Sequence, residues 1–358
     1  MFTITPAIAT ALMAIEADRQ VIMELPITVE LLAGLRYSAQ LAATHYSTQI
    51  KGNRLTQAQV EHVLAGAHFP GRERDEAEVR NYYKALEYVE TIAAEDSPIT
   101  EDTVQRIHSL VMMGKPGSEP YREGQNAIRE GASGAIIYLP PEAPDVPALI
   151  AELFSWTSEQ IDKRELPVPI VAAMTHYQYA TIHPYDDGNG RTARLLATLV
   201  LHRAGYGLTG IYSLDQHYAQ DLTSYYQALT VGPSHNYYLG RAEADITGFV
   251  GFFCQSMADA LGPVRSRVAE TAAASSGTED PAVLRRLDPR RRLLLELFHR
   301  APTATTAQMA AHLGLSPRTV RSLVPRWTED GFLELADSSR RSRSYRLTPP
   351  YDRLARRR

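Results

Sequence analysis

Residues 183–194 read HPYDDGNGRTAR. Pro184 and the glycines enforce a tight loop, so one helix ends near His183 and another begins near Asn189 or Gly190. The first backbone N–H groups of a helix lack intrahelical partners, and its N-terminal end is the positive end of the dipole. Gly188 and Gly190 let that backbone approach a ligand closely, which makes an anion cradle suited to phosphate. Arg191 and Arg194 add guanidinium forks that match phosphate oxygens. Two cations in a first helical turn oppose the dipole, and a bound anion resolves that conflict. Asp187 can hold Mg²⁺, which is bound by one or two carboxylates together with phosphate oxygens. His183 titrates near neutrality and can act as a general base. Singly, each feature has a plain explanation: a histidine cap, a solvated arginine face, Asp-Gly and Asn-Gly turns. Jointly they describe a site for phosphoryl or nucleotidyl transfer.

The elements that must position this loop read mostly as helices. PIVAAMTHYQYATI (169–182) runs into it and GRTARLLATLVLHRAG (190–205) leaves it. Apolar residues recur at three- and four-residue spacing over 29–45, 56–67, 75–94, 99–113 and 146–161, and further helices are expected at about 216–230 and 242–262. Thr100 is placed to cap the helix that follows it. One segment differs: YREGQNAIREGASGAIIYLPPEAP (121–144) has glycines, an AIIYL run and a Pro-Pro stop, which suits a small hairpin.

The 358 residues are too many for one ordinary core, and 44% apolar with 22% charged residues is ordinary globular composition. The single cysteine, Cys254, permits no intramolecular disulfide, which suits a reducing compartment. Phe252 and Phe253 precede it, so it reads as a buried thiol. No apolar run has the length of a membrane span. MFTITPAIATALMAIEADRQ has no basic region before its apolar residues, so no signal peptide is expected and the protein reads as cytoplasmic.

The net charge of −4 hides an asymmetry. Residues 281–358 hold 17 arginines, no lysine and 7 acids, a balance of +10, which leaves −14 for residues 1–280. TAAASSGTED (271–280) reads as a linker. Beyond it come a helix (RRRLLLELFHRA), a second ending at Gly314, a third with Ser316 as N-cap and Pro317 at its first position, and then two strands around an arginine-rich tip. That is the order of a winged helix-turn-helix. Arg318, Thr319, Arg321 and Ser322 are candidates to face a major groove. Arg340, Arg341, Arg343 and Arg346 are candidates for phosphate contacts from the wing.

HPYDDGNGRTAR resembles the signature of the Fic (Fic/Doc) family, His-x-Phe-x-[Asp/Glu]-Gly-Asn-Gly-Arg-x-x-Arg. His183, Asp187, Gly188, Asn189, Gly190, Arg191 and Arg194 match it, and Tyr185 stands where the family has Phe. The resemblance runs from roughly residue 29 to 260. It implies a mainly α, Fic-type helical domain with a hairpin flap, followed here by the winged helix-turn-helix. The expected division is an N-terminal helical region (1–95), a catalytic core (96–270), the linker (271–280) and the C-terminal domain (281–358).

The activity implied by the resemblance is that of a protein adenylyltransferase, moving AMP from ATP to a Tyr, Thr or Ser hydroxyl of a target protein or of the chain itself. His183 would deprotonate the hydroxyl and Asp187 would coordinate Mg²⁺. Gly188, Asn189, Gly190, Arg191 and Arg194 would hold phosphates. Ile136, Ile137 and Tyr138 would align a target segment by main-chain pairing, and Tyr225 or Tyr226 would sit beside adenine. The motif does not fix the transferred group, because such a cradle reads phosphate rather than base.

Many members of the family carry an inhibitory helix, [Ser/Thr]-x-x-x-Glu-[Gly/Asn], whose Glu pairs with the second signature arginine. Here STQIKGN (47–53) has Ser47 and Gly52 in place but Lys51 at the Glu position, as in the class whose inhibitory helix lies N-terminal to the signature. A lysine cannot clamp Arg194 and could instead attract phosphate, so relief of this autoinhibition is expected; the plain alternative is a lysine that points to solvent with no role, as most do. The competing expectation is a DNA-binding transcriptional regulator whose Fic-like body senses nucleotide or dimerises. The expected partners are ATP, the target protein, duplex DNA and a second copy of the chain, with no membrane.

Overall fold

The computed structural model describes residues 1–356 except 26, 28, 94–97, 115–116, 118–119, 130–133, 209, 233, 275–286, 314 and 338–342. Helix α7 (Val168–Ile182) is buried on nearly every face, from Ile170 and Ala173 to His176 and Tyr179, and it turns through the motif loop into α8 (Asn189–Arg203). A helix apolar all round must lie at the centre of a larger body. Around this hairpin stand α1 (Pro6–Glu24), α2 (Val29–Ile50), α3 (Gln57–Leu64), α4 (Glu73–Ala93), α5 (Glu101–Met113) and α6 (Val146–Lys163). Beyond α8 come α9 (Asp215–Gln220), α10 (Leu222–Leu229) and α11 (Thr247–Ala274). One apolar core joins all of these but α3, from Ile8 and Ile15 through Tyr82 and Leu196 to Phe253 and Cys254, while Val60 and Val63 of α3 pack in a smaller cluster with Leu41, Leu55 and Val79. Burial pushes the Cys254 thiol up to about 12, so it is an inert packing group.

Several expected elements appear with altered bounds. Helix α1 was not anticipated, although Ile8, Ala11, Ile15 and Ile22 form its buried stripe and Thr5 caps it. The single helix expected at 216–230 is two. The break is at Asp221, which leaves helical dihedrals and caps α10 by accepting from Ser224 N at 3.0 Å. Helix α11 overrides the expected linker, since it continues through Pro263 to Ala274. Residues 275–280, the rest of that linker, and 95–96, the first expected boundary, lie outside the described residues.

The expected hairpin is present as β1 (Ile128–Arg129) and β2 (Ile136–Tyr138), antiparallel, with Ile128 opposite Tyr138. The chain just beyond β2 is tied on its other side, where Leu139 N donates to His235 O (2.7 Å) and Leu139 O accepts from Tyr237 N (3.0 Å).

The C-terminal domain has its own core of Leu294, Phe298, Val320, Trp327, Phe332 and Tyr345. It comprises α12 (Pro289–Arg300), β3 (Ala304–Thr305), α13 (Thr306–Leu313), α14 (Pro317–Glu329), β4 (Leu333–Asp337), β5 (Ser344–Leu347) and α15 (Pro349–Arg356). The strands order β3-β5-β4, all antiparallel. Ser316 caps α14 as expected, while α15 was not anticipated. Helix α12 docks on the body through Glu296, whose carboxylate lies 3.6 Å from Arg36, and Arg36 also pairs with Glu90 at 3.0 Å. Among the described residues no helix is long and apolar enough to cross a membrane.

Candidate active site

The loop between α7 and α8 is built from commitments that its sequence makes locally. His183 takes the left-handed region, φ 53°, which a non-glycine residue adopts only where its surroundings enforce it. Gly188 precedes α8 at φ 82°. A Cβ there would lie 2.8 Å from Met112 Sδ and 3.0 Å from His108 Nε2, so glycine is required by both conformation and space. Asn189 is buried. Its side chain accepts from Tyr185 N (3.0 Å) and donates to Tyr185 O (2.7 Å), stapling the loop to the first turn of α8. Tyr185 stacks on His108 with ring centroids 3.5 Å apart, and His108 Nε2 donates to Asp187 O at 2.9 Å. From the hairpin arm, Arg122 N donates to Pro184 O and Arg122 Nε to His183 O, each at 3.0 Å. Asn126 donates to Tyr185 O at 3.1 Å. The loop is thereby held from three sides before any ligand arrives.

The reactive groups follow from that scaffold. His183 Nδ1 donates to Ala180 O at 3.2 Å, which leaves Nε2 as the acceptor. Burial, with the Arg122 and Lys51 charges adding to it, lowers the ring to about 4 against the pull of Ala180 O and Asp187. The imidazole is therefore neutral at pH 7, the form a base needs. Burial also opposes the charge of Asp187, yet Lys51, Gly188 N–H and Arg191 together hold its carboxyl below the ordinary range. Asp187 Oδ1 accepts from Gly188 N at 2.7 Å and pairs with the Lys51 ammonium, while Oδ2 lies 3.7 Å from Arg191.

The two signature arginines separate into different roles. Arg191 is 3% exposed, and its Nε has no hydrogen-bond partner among the described residues. Its Nη2 donates to the Met112 sulfur (3.5 Å) and lies 3.7 Å from Asp187 Oδ2. A buried guanidinium short of acceptors at a helix N-terminus is a place for an anion. Arg194 is engaged instead. Its Nε donates to Ser47 Oγ (2.8 Å) and Asp215 Oδ1 (2.9 Å), and its Nη2 to Ser47 O (2.9 Å). Nε and Nη2 of Arg194 are thus engaged in a buried ion pair, while its Nη1 lies at the first turn of α8, 3.5 Å from where a Cβ on Gly190 would stand. The Asn189 side chain staples the loop, so what it brings to the expected cradle is its backbone.

Other expected residues are sorted by burial. Ile136 and Ile137 are each 45% exposed on β2, whereas Tyr138 is buried and donates to Thr181 O at 2.7 Å, so it anchors the strand. Tyr225, expected beside adenine, is buried. Its hydroxyl meets His176 Nε2 at 3.0 Å and its ring stacks on Tyr218 inside the core. Tyr226 remains exposed, with its hydroxyl 3.5 Å from Ile50 O, at the end of α2 that carries Lys51. Lys51 does not stand alone in solvent; it pairs with Asp187.

On the C-terminal domain, Arg318, Arg321 and Ser322 are exposed along the start of α14. Thr319 is partly spent, since its hydroxyl meets Ser316 Oγ at 2.8 Å in the cap. Arg343 is exposed beside the Tyr345 ring, and Arg346 pairs with Glu334 at 2.6 Å. Arg340 and Arg341 lie outside the described residues. Sequence reasoning missed His108, Arg122, Asn126 and Asp215. Arg122 and Asn126 sat in the quoted YREGQN segment, but nothing local marks His108 or Asp215 as partners of a loop about 80 and 20 residues away.

Comparison with known proteins agrees with this geometry. A Fic/DOC family model matches residues 98–201, and a helix-turn-helix domain model matches residues 290–343. The protein adenylyltransferase Fic of Culex quinquefasciatus is 30% identical over 226 residues, covering 62% of this chain and 41% of that protein. The protein of the same name from Drosophila willistoni is 30% identical over 164 residues, covering 45% and 32%. The chain thus spans well under half the length of these relatives. A Fic family protein of Desulfovibrio desulfuricans shares the fold at 24% identity and TM-score 0.57, over 97% of this chain and 98% of that one. A Fic domain containing signaling protein of Bacteroides thetaiotaomicron does so at 24% and 0.62, over 75% and 99%. With the signature loop and the helical frame in place, the chain carries a Fic/DOC family domain followed by a C-terminal helix-turn-helix domain.

Proposed function

We propose that this protein transfers AMP from ATP to a Tyr, Thr or Ser hydroxyl of a target protein or of itself. The observation that carries the reading is a neutral His183, its Nε2 free to accept, beside a glycine-lined helix N-terminus and the acceptor-poor Arg191. The name of the insect relatives, protein adenylyltransferase, supports the choice of AMP. In the step proposed, the target hydroxyl oxygen forms a bond to the α-phosphorus and the bond to the α–β bridging oxygen breaks. Pyrophosphate leaves, and the hydroxyl proton passes to His183 Nε2. The backbone of Gly188–Gly190 and the Arg191 guanidinium hold phosphate oxygens. The exposed Ile136–Ile137 edge of the hairpin aligns the target segment.

Among the described residues no three acids, histidines or cysteines gather as an all-protein metal cage. A lone carboxylate at the rim of a phosphate cradle does fit Mg²⁺, which keeps to one or two carboxylates and takes its other ligands from phosphates and water. Asp187 would hold it, and the ion would neutralise charge on the phosphates. Lys51 stands where the family's inhibitory glutamate would, and it leaves Arg194 to Asp215. The chain is accordingly free of that form of autoinhibition, and Lys51→Glu should lower the transfer rate.

The exposed Arg318 and Arg321 on α14, with Arg343 on the wing, support duplex DNA as a second partner. They also favour a second reading, a regulator whose Fic domain senses nucleotide. Label transfer from α-labelled ATP, followed on a denaturing gel, separates the two. Protein-bound label lost in His183→Ala supports transfer, and no label from any nucleoside triphosphate favours the regulator.

A further inference from the structure

Lys51 is placed by an anchored turn. Helix α2 ends at Ile50, and the chain reverses through Lys51 N→Thr48 O (3.1 Å), Gly52 N→Gln49 O (2.8 Å) and Asn53 N→Thr48 O (3.1 Å). Gly52 supplies φ 103°, which the turn needs. Either side of Lys51 is tied down. Ser47 is held by Arg194, and Asn53 donates to Asp75 O on α4 at 2.9 Å. A lysine between two such anchors has a fixed root, and its ammonium rests on Asp187 Oδ1.

That oxygen is then saturated, because it also accepts from Gly188 N. The other oxygen of Asp187 faces Arg191. A divalent ion cannot reach the carboxylate at full strength while Lys51 occupies it. The pair is nonetheless open to solvent, with the two side chains 40% and 39% exposed, so the contact is weak enough to be exchanged.

We propose that Lys51 is a built-in cation that holds Asp187 in the absence of a divalent ion and must be displaced before that ion binds. It sets the divalent-ion concentration at which the site is assembled. A half-exposed ion pair of this kind corresponds to about a two- to fivefold effect on an affinity. When phosphate arrives, the displaced ammonium has an anion within reach of the same root. The proposal rests on taking Asp187 as the divalent-ion ligand of the transfer site.

The test is titration of the full chain with Mn²⁺ alone, without nucleotide or target, followed by the electron paramagnetic resonance signal of free Mn²⁺. Lys51→Met keeps the length of the side chain and removes its charge, and it should tighten Mn²⁺ binding about two- to fivefold. Lys51→Arg, which keeps the charge, should bind as the native chain does, and Asp187→Asn should remove the site. Equal or weaker binding in Lys51→Met overturns the proposal, and so does binding that survives Asp187→Asn. Tighter binding in Lys51→Met with no label transfer would count against AMP transfer alone. Unchanged binding with intact label transfer would count against the role of Lys51 alone.

Discussion

Replacing Asp215 with alanine isolates the buried cation at the heart of the site. Arg194 is 4% exposed and Asp215 is equally buried, and they meet at 2.9 Å. Burial pushes the Asp215 carboxyl above the usual range, and the Arg194 guanidinium beside it offsets that push. Without the carboxylate, the guanidinium keeps the hydroxyl and carbonyl of Ser47 and the neutral Tyr225 hydroxyl, but no counter-charge among these partners. Breaking a buried pair by removing one partner costs about 3–5 kcal/mol, because it strands a charge. The helical body spans residues 1–274, and at about 2.1 cal/mol/K per residue its unfolding entropy is roughly 0.6 kcal/mol/K. The melting temperature should therefore fall by about 5–9 °C, read by circular dichroism at 222 nm. The double variant Arg194→Met, Asp215→Leu removes both charges and should recover most of the loss, since apolar replacements of a buried pair are often neutral. A shift under about 2 °C for Asp215→Ala, or a double variant as unstable as the single one, would refute the structural weight assigned to this buried pair.

Acid should destabilise the body through His176 and His202. Burial lowers them to about 3 and about 4, so in the window from pH 6.5 down to 4 the unfolded chain takes up protons that the folded one refuses. Stability is lost as pH falls through that window, by up to about 3 kcal/mol per histidine, and a denaturant midpoint that stays flat from pH 6.5 to 4.5 would contradict this. Gly188→Ala should cost about 1–3 kcal/mol of stability and abolish nucleotide binding by calorimetry, since its Cβ meets Met112 and His108; normal ATP affinity would argue against the cradle. Arg318→Ala with Arg321→Ala in the full chain should weaken duplex binding across sequences and flatten its salt dependence by about 1 for each phosphate no longer neutralised. An unchanged salt slope, read by fluorescence anisotropy, would remove α14 from the DNA interface.

How much of this was legible beforehand depended on the range of the interaction. The α7–α8 hairpin and its loop could be read directly, because a helix end, a glycine-framed turn and a new helix start are written in consecutive residues. The cap at Thr100, the hairpin at 136–138 and the helix-turn-helix order were local for the same reason. Helix α1 was equally legible, but its stripe was weighed only as a targeting segment. The fate of Arg194 was not local. Its partners, Ser47 and Asp215, lie 147 and 21 residues away, and only the packing of α2 and α9 brings them to it. Tyr225 and Tyr226 are neighbours on one short helix, and the fold alone decides that one faces the core and the other solvent. The pairing of Lys51 with Asp187, across 136 residues, was invisible for that reason, although the lysine itself stood out in STQIKGN.

The most direct test of the central claim is intact-mass spectrometry of the full chain after incubation with ATP and Mg²⁺, alone and with cell lysate, beside His183→Ala. The account predicts a gain of one AMP on the chain itself or on a lysate protein, absent in the variant. A mass gain that persists in His183→Ala, or none from any nucleoside triphosphate, would contradict it.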